Sequence, residues 1–287
     1  MVTSQDDPTY LVGRSEEETQ RLQRQAQLYG PLTRRLCVDA GVGQGMRVLD
    51  VGSGAGDVAL LAAELVGPTG AVVGIDTDGS ILEVARRRVR AVGWRNVTFV
   101  EGDVRTATDL EMFDAVVGRF ILFWVRDVVE VLRACAARLR PGGPLVFQEH
   151  DVFDPVWYRA YPPSQASAPH DRWGSHILEQ QGIDVAMANK LYGAYLEAGL
   201  PDPQLRYEAP LGGGPDWIGY EARADHARRI APRIVEAGLA TEAELDTETL
   251  ADRMRDEIVA QRGVLRCMPV VGIWARQPGS AQATVST

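Results

Sequence analysis

The stretch "LDVGSGAGD", residues 49–57, decides the fold. Three glycines alternate at Gly52, Gly54 and Gly56 directly after an apolar run, and the acid Asp50 stands two residues before the first of them. Glycines permit a tight turn and let a ligand approach the backbone closely. A helix that begins after such a turn offers free N–H groups and the positive end of its dipole. The stretch therefore predicts a ligand-binding turn between a buried strand and a helix.

Apolar runs and helix-like segments alternate from Met46 to His150, as in a βα repeat. The predicted strands are 47–51, 71–76, 97–102, 114–119 and 144–150, and the predicted helices between them are about 57–66, 79–93 and 126–139. Strands that are separated by helices run parallel and cross over right-handed. The region therefore predicts an α/β fold, in which helices cover both faces of a parallel sheet.

The rest of the chain divides by composition around this core at 46–150. Residues 1–45 predict an N-terminal helical segment, with one helix from Ser15 to about Tyr29 and a second, short helix after Pro31. The later segments are an aromatic-rich insertion (151–181), a continuation of the core with a helix at about 183–198 and a strand near 204–211 (182–214), a helical charged insertion (215–261), a last strand (262–277) and a disordered tail (278–287).

Composition excludes several classes of function. The net charge is −9 and the pI about 5.1, which disfavours binding to nucleic acid. The densest basic run, Arg86 to Arg88 with Arg90, is typical of a solvated helix face. No apolar run reaches the roughly 18 residues of a membrane helix, and the N-terminus does not resemble a signal peptide. We expect a cytoplasmic protein that is a monomer or a homodimer.

No metal is expected, because the cysteines and histidines lack the spacings that metal ligands show. The glycine turn instead indicates an organic cofactor. Its G-x-G-x-G spacing differs from the G-x-G-x-x-G of dinucleotide loops. Asp50 would repel a pyrophosphate but can pair with an ammonium or a sulfonium ion. Asp76, at the end of the second strand, can accept hydrogen bonds from two ribose hydroxyls of either cofactor, and Asp103 can accept one from an adenine amino group.

With these features the core resembles the class I S-adenosylmethionine-dependent methyltransferases of the small-molecule type, including those of bacterial specialised metabolism. The segments that carry the resemblance are "VLDVGSGAG", "VVGIDTD", "VTFVEGDV", "FDAVVGRF" and "LRPGGPLVFQEHD", in this order. The resemblance implies a Rossmann-like seven-stranded sheet with helices on both faces and a mostly helical acceptor cap. It also implies that 263–277 forms an antiparallel seventh strand beside the fifth, and that 204–211 forms the sixth.

The resemblance further implies a cofactor, S-adenosylmethionine, with S-adenosylhomocysteine as the product. Its methionine end would be held at Asp50 and at the turn residues Gly52, Ser53, Gly54 and Gly56. Ribose would be held at Asp76 with Thr77, and adenine at Asp103 and Val104. Arg119, just past the fourth strand, would lie along the cofactor near the acceptor, and Tyr29 would fold over the cofactor.

Catalytic candidates stand at the end of the fifth strand. Glu149 and His150 are the candidates for a base or an acceptor-orienting group, and because strand residues alternate in direction, one of the two faces the acceptor. Aromatic and polar side chains supply candidates for the acceptor pocket: Tyr10, Phe123, Trp124, Trp157, Trp173 and His176. We expect methyl transfer to carbon, nitrogen or oxygen of a small aromatic or apolar metabolite, by in-line displacement.

Three alternatives stay open. A nicotinamide oxidoreductase would need the other glycine spacing and a proton-relay motif such as YxxxK, which are both missing. Members of the same superfamily can use the bound sulfonium for a cyclisation or a decarboxylation, which product analysis would separate from methylation. A non-catalytic binding protein would have no need to keep Asp50, Asp76 and Asp103 together.

Overall fold

The computed structural model describes residues 16–153, 158–168 and 184–278. The strands are β1 (Arg47–Val51), β2 (Ala71–Asp76), β3 (Val97–Glu101), β4 (Ala115–Arg119), β5 (Pro144–His150), β6 (Arg159–Tyr161), β7 (Gln204–Glu208), β8 (Leu211–Gly212), β9 (Val264–Arg266) and β10 (Val270–Arg276). The helices are α1 (Glu16–Ala40), α2 (Asp57–Val66), α3 (Gly79–Val92), α4 (Val128–Ala136), α5 (Met187–Glu197), α6 (Gly219–Glu236), α7 (Glu242–Leu245) and α8 (Leu250–Ala260). A short 3-10 helix, Leu122–Trp124, follows β4.

The larger of two compact units is built on a seven-stranded sheet, and its described residues are 29–150, 187–208 and 270–278. The strand order is β3-β2-β1-β4-β5-β10-β7. The first five strands of this order are parallel, whereas β10 runs antiparallel to β5 and to β7. This arrangement confirms the predicted fold class. Chain order reverses between β1 and β4, which is where ligands bind in open α/β sheets.

Two apolar cores cover the two faces of this sheet. On one face, Leu49 of β1 and Phe147 of β5 share a core with Leu132 of α4 and Leu191 of α5. On the other face, strand residues such as Val48 and Val117 share a core with residues of α1, α2 and α3. Strands that are buried on both faces need apolar side chains in both directions, which explains the apolar runs of the sequence. Consecutive residues of β5 therefore belong to different faces.

Helix α1 differs from its prediction. We expected two helices separated near Pro31, but one helix runs from Glu16 to Ala40 with Pro31 inside it. Proline removes one backbone donor, yet here its ring lies on the exposed side of the helix. The buried residues Tyr29, Leu32, Leu36 and Ala40 recur at helical spacing on both sides of Pro31. Burial of this continuous face offsets the lost hydrogen bond.

The smaller unit contains the described residues 16–28, 151–153, 158–168, 184–186 and 209–269. A small antiparallel sheet of order β6-β9-β8 lies within it, together with α6, α7 and α8. The single last strand expected at 262–277 is divided, because β9 pairs in this small sheet and β10 in the large one. Pro269 stands directly before β10 and has no N–H to donate, which favours a break at this point.

None of the helices in the described part of the chain is both long enough and apolar enough to span a membrane.

Candidate functional site

Asp50 lies at the centre of the candidate site, near the end of β1. Its side chain is 1% exposed, and neither carboxylate oxygen has a hydrogen-bond partner among the described residues. Burial raises the pKa of Asp50 well above its usual range, while the nearby charge of Arg119 opposes this shift. A buried carboxylate without a partner is costly. The site would therefore gain stability from a bound cation.

The glycine turn follows Asp50 and is fixed by hydrogen bonds to β2. The backbone N–H groups of Gly52 and Ser53 donate to the Ile75 carbonyl oxygen at 2.9 and 3.1 Å. The Gly54 N–H donates to Asp76 Oδ2 at 2.8 Å. Gly56 precedes α2, and its N–H donates to the Ser53 carbonyl at 2.8 Å. The buried Ser53 Oγ, like Asp50, has no partner in the part of the chain that the structure describes.

Asp76 and Thr77 stand at the end of β2, beside this turn. Asp76 uses both oxygens in the protein, because Oδ1 accepts from the Asp78 N–H at 3.0 Å while Oδ2 accepts from Gly54. Burial raises the pKa of Asp76, and the N–H groups of Asp78 and Gly54 oppose the shift. Thr77 is exposed. The Asp76 carboxylate therefore holds the turn in addition to its predicted contact with ribose.

Asp103 and Val104 follow β3. The Asp103 carboxylate accepts from the Arg105 backbone N–H at 2.9 Å and from Arg105 Nε at 3.0 Å. The Arg105 side chain thereby lowers the pKa of Asp103. Val104 packs its side chain into a core of the sheet. The Asp103 carboxylate thus holds the turn that follows β3. An adenine amino group would have to share the Asp103 oxygens with Arg105.

Arg119 is buried at the switch point between β1 and β4. Its side chain is 5% exposed, and Nη2 lies 4.0 Å from Asp57 Oδ2. Nη1 donates to Thr33 Oγ1 at 3.2 Å, and that hydroxyl donates to Gln148 Oε1 at 2.7 Å. Burial lowers the pKa of Arg119, while the charges of Asp57 and Asp50 oppose the shift. Thr33 and Gln148 were missed by sequence reasoning, because no motif indicates which residue of α1 meets β5.

Arg88 also supports the glycine turn, against expectation. The basic run around it was predicted as a solvated helix face, yet Arg88 is half-buried. It donates to the Ala55 carbonyl at 2.6 Å and to Asp57 Oδ1 at 2.5 Å. An arginine can make several such bonds at once because its guanidinium carries five donors in a planar fork. Helical spacing alone does not tell which arginine of a run points inward.

Glu149 and His150 end β5 and lie on opposite faces of the sheet. Glu149 is fully buried. Its Oε1 accepts the backbone N–H groups of Ile121 and Leu122 at 3.0 and 2.9 Å. His150 is only partly buried. The structure therefore gives the two catalytic candidates quite different surroundings.

Three aromatic rings meet at the end of β5. The rings of Phe120 and His150 are stacked, with centroids 3.7 Å apart and planes 10° from parallel. Tyr29 contacts both edge-on, at 4.9 Å from His150 and 5.4 Å from Phe120. Phe120 has a φ of 59°, in the left-handed region that side chains disfavour. Strain of this kind persists where the surroundings hold the backbone, and it is frequent at functional sites.

The remaining pocket candidates are only partly described. Phe123 and Trp124 are half-buried in the 3-10 helix, with ring centroids 4.6 Å apart. Tyr10, Trp157, Trp173 and His176 lie outside the described residues. Within the described ranges, no group of histidine, cysteine and carboxylate side chains is placed to hold a metal ion.

The Glu149→Gln variant is expected to change the pH dependence of stability. Burial raises the pKa of Glu149 to about 8, against the effect of the Leu122 and Ile121 N–H groups, whereas a glutamate in an unfolded chain ionises near about 4.3. At a pH between these two pKa values, Glu149 is protonated in the folded chain and ionised in the unfolded chain, so folding takes up a proton. The free energy of unfolding should therefore fall as pH rises from about 5 to about 8, by at most about 1.4 kcal/mol per pH unit, and then level off.

Urea unfolding of both proteins across this pH range measures the effect. Because glutamine does not titrate, the natural chain should lose stability relative to the variant up to about pH 8. The difference between the two proteins removes contributions that they share, such as that of Asp50. If the free energies of unfolding of the two proteins ran parallel across this pH range, the raised pKa of Glu149 would be contradicted.

Known proteins share the core that carries this candidate site. A family model described as a methyltransferase domain matches residues 43–199, more than half of the chain. The ubiquinone/menaquinone biosynthesis C-methyltransferase UbiE of Cronobacter sakazakii is 32% identical over 160 residues, covering 54% of this chain and 60% of that protein. The chain thus spans less than two-thirds of the length of this curated relative.

Solved structures share the fold at low identity. The YcgJ protein from Bacillus subtilis superposes with a TM-score of 0.54 at 19% identity, covering 86% of this chain and 98% of that one. The cyclase SpnF superposes with a TM-score of 0.52 at 21% identity, covering 87% and 82%. These likenesses concern the fold alone.

Proposed function

Because this chain belongs to the class I S-adenosylmethionine-dependent methyltransferases, we propose that it transfers a methyl group from S-adenosylmethionine to a small-molecule acceptor. The observation that carries the proposal is Asp50, a buried carboxylate with no hydrogen-bond partner among the described residues, placed directly before the glycine turn. The cofactor's methionine end carries an ammonium group that such a carboxylate can bind. The residues present therefore fit the cofactor.

The residues at the ends of β1, β2 and β3 each have a role in this proposal. Asp50 would accept from the ammonium group, and the backbone from Gly52 to Gly56 would hold the methionine end. Asp76, which accepts from the Gly54 N–H, would also accept from the ribose hydroxyls. Asp103 and the backbone at Val104 would hold the adenine. The bound cofactor supplies an electrophilic methyl group, and the protein's contribution is to align the acceptor with it and to exclude water.

We assign the acceptor-facing role at β5 to His150. His150 is partly buried beside Tyr29 and Phe120, whereas Glu149 is fully buried and binds backbone N–H groups. A histidine can accept a proton near neutral pH, which suits an acceptor that must lose one. His150→Gln should lower kcat more than it raises KM, while the affinity for S-adenosylhomocysteine stays within about threefold.

The acceptor is proposed to be a small aromatic or apolar molecule. The acidic net charge of −9 argues against a nucleic-acid acceptor. The relative from Cronobacter sakazakii is named a C-methyltransferase of ubiquinone and menaquinone biosynthesis. That name supports a ring-containing acceptor, and carbon is the first acceptor atom to test.

Methyl transfer is tested with S-adenosylmethionine that carries an isotopic label in its methyl group. The purified protein is incubated with phenols, quinols and aromatic amines, and the products are analysed by mass spectrometry. The proposal predicts a labelled methylated product and one equivalent of S-adenosylhomocysteine. A cyclised or decarboxylated product without the label would indicate the non-methylating alternative. Binding of the cofactor with no product from any acceptor class would indicate a non-catalytic protein.

A further inference from the structure

The carboxylate of Glu149 connects β5 to the turn that follows β4. Its Oε1 accepts two consecutive backbone N–H groups, those of Ile121 and Leu122, at 3.0 and 2.9 Å. These groups lie at the start of the 3-10 helix Leu122–Trp124, where N–H groups have no partner within the helix. A side chain from a different strand thus caps this short helix. The Glu149 side chain and its bond to Leu122 are buried, so removal of the carboxylate would leave the Leu122 N–H without a water molecule to replace its partner.

The capped turn touches the glycine turn directly. A Cβ atom at Gly52 would lie 2.6 Å from Cγ1 of Ile121, so the Ile121 side chain occupies the space beside the Gly52 backbone. Gly52 is the first glycine of the turn, and its φ is 67°. Any shift of the backbone at Ile121 would therefore open or crowd one wall of the cofactor turn.

The same turn also sets the position of Phe120. This residue keeps a φ of 59° and stacks its ring on His150. Its N–H donates to the Gln148 carbonyl at 2.9 Å, so the β4–β5 pairing fixes one side of the strained residue. Glu149 fixes the other side through Ile121. One carboxyl group therefore holds both a wall of the glycine turn and the ring that stacks on His150.

We propose that Glu149 is a positioning residue for the cofactor site, acting through the Phe120–Leu122 turn without touching cofactor or acceptor. The inference rests on the proposed function, because the glycine turn is taken as the place where S-adenosylmethionine binds. A neutral amide oxygen can accept the same two N–H groups, because it has two lone pairs. The apolar side chain of methionine, which has a similar length, cannot accept these two N–H groups.

Glu149→Gln and Glu149→Met make a matched pair for the test. Calorimetric titration with S-adenosylhomocysteine should give an affinity within about threefold of the natural chain for the glutamine variant, and at least about tenfold weaker for the methionine variant. Hydrogen exchange of the ligand-free proteins is the second measurement. The amides of Ile121 and Leu122 should exchange faster in the methionine variant and stay protected in the glutamine variant.

Gln148→Leu is the control for hydrogen exchange, because it removes a hydrogen bond from the neighbouring residue of β5 on the other face. The amides of Ile121 and Leu122 should stay protected in it. If the methionine variant does not fold, Ile121→Ala carries the test, since it opens the wall beside Gly52 and keeps the Glu149 cap. It should weaken S-adenosylhomocysteine binding at least about threefold.

Two outcomes would overturn the inference by itself. One is a folded methionine variant that binds S-adenosylhomocysteine as tightly as the natural chain does, and the other is an Ile121→Ala variant with unchanged affinity. Failure of the natural chain to bind S-adenosylhomocysteine would overturn the proposed function and this inference together. That outcome is recognisable, because the exchange difference between the glutamine and methionine variants would still appear.

Discussion

Replacing Asp76 with alanine is expected to weaken the binding of S-adenosylhomocysteine at least about tenfold, or about 1.4 kcal/mol. Two losses add up in this variant. The proposed contacts with the ribose hydroxyls disappear, and so do the acceptors of the Gly54 and Asp78 N–H groups, which lie 2.8 and 3.0 Å from the Asp76 carboxylate oxygens. The turn would then be both less fixed and without its ribose ligand. Hydrogen bonds to a charged acceptor contribute about 1.5–3 kcal/mol each.

Asp76→Asn separates the two losses. The amide oxygen can still accept from the Gly54 N–H, whereas the NH2 group offers no acceptor to the Asp78 N–H, and no charged acceptor is left for ribose. We therefore expect Asp76→Asn to bind S-adenosylhomocysteine more tightly than Asp76→Ala and more weakly than the natural chain. Asp127→Ala is the matched control, because Asp127 caps α4 through the Glu130 N–H and lies outside the proposed cofactor residues. Equal affinities for the natural chain and Asp76→Ala would contradict the assignment of Asp76.

Alanine at Gly52 is expected to reduce mainly stability, and alanine at Gly54 mainly cofactor binding. Both glycines have positive φ, at 67° and 50°, which costs an L-residue about 1–2 kcal/mol. A Cβ at Gly52 would also meet Ile121 at 2.6 Å, and overpacking of this kind costs about 1–3 kcal/mol more. A Cβ at Gly54 would meet no atom of the described residues within 4 Å. Gly52→Ala should therefore be clearly less stable than Gly54→Ala.

Cofactor binding should reverse this order. The space beside Gly54, which no atom of the described residues fills, is where the methionine end is proposed to lie. A methyl group there should therefore weaken S-adenosylhomocysteine binding at least about tenfold. The folded molecules of Gly52→Ala should lose less affinity for S-adenosylhomocysteine than Gly54→Ala does. Urea unfolding and calorimetry on the same two variants measure both effects. Equal stabilities for the two variants would contradict the packing of Ile121 on the turn.

The sequence predicted the fold well because the core follows strong local patterns. Strands buried on both faces must be apolar along their length, and this pattern located β1, β2 and β5 to the residue. Long-range pairing was harder to predict. The division of 262–277 into β9 and β10 depends on two different sheets, and local propensity carries no information about which sheet a strand joins.

The site was predictable where a motif carries it and unpredictable where tertiary packing makes it. Asp50, Asp76 and the glycines follow from their spacing, and the structure brings them together at one edge of the sheet. Ile121 and Thr33 act through contacts with residues far away in sequence, and they match no motif. Glu149 was predicted as a base or an acceptor-orienting group at the end of β5. Its orientation toward the backbone of the next turn depends on packing that the sequence alone does not specify.

Calorimetric titration of the purified natural chain determines whether the glycine turn binds S-adenosylmethionine. The ligands are S-adenosylmethionine, S-adenosylhomocysteine and NADH, each added separately to the same protein. We expect both adenosyl compounds to bind at one site and NADH not to bind, because the buried carboxylate of Asp50, which has no hydrogen-bond partner among the described residues, favours an ammonium group and disfavours a pyrophosphate. Binding of NADH, or of neither adenosyl compound, would contradict this expectation.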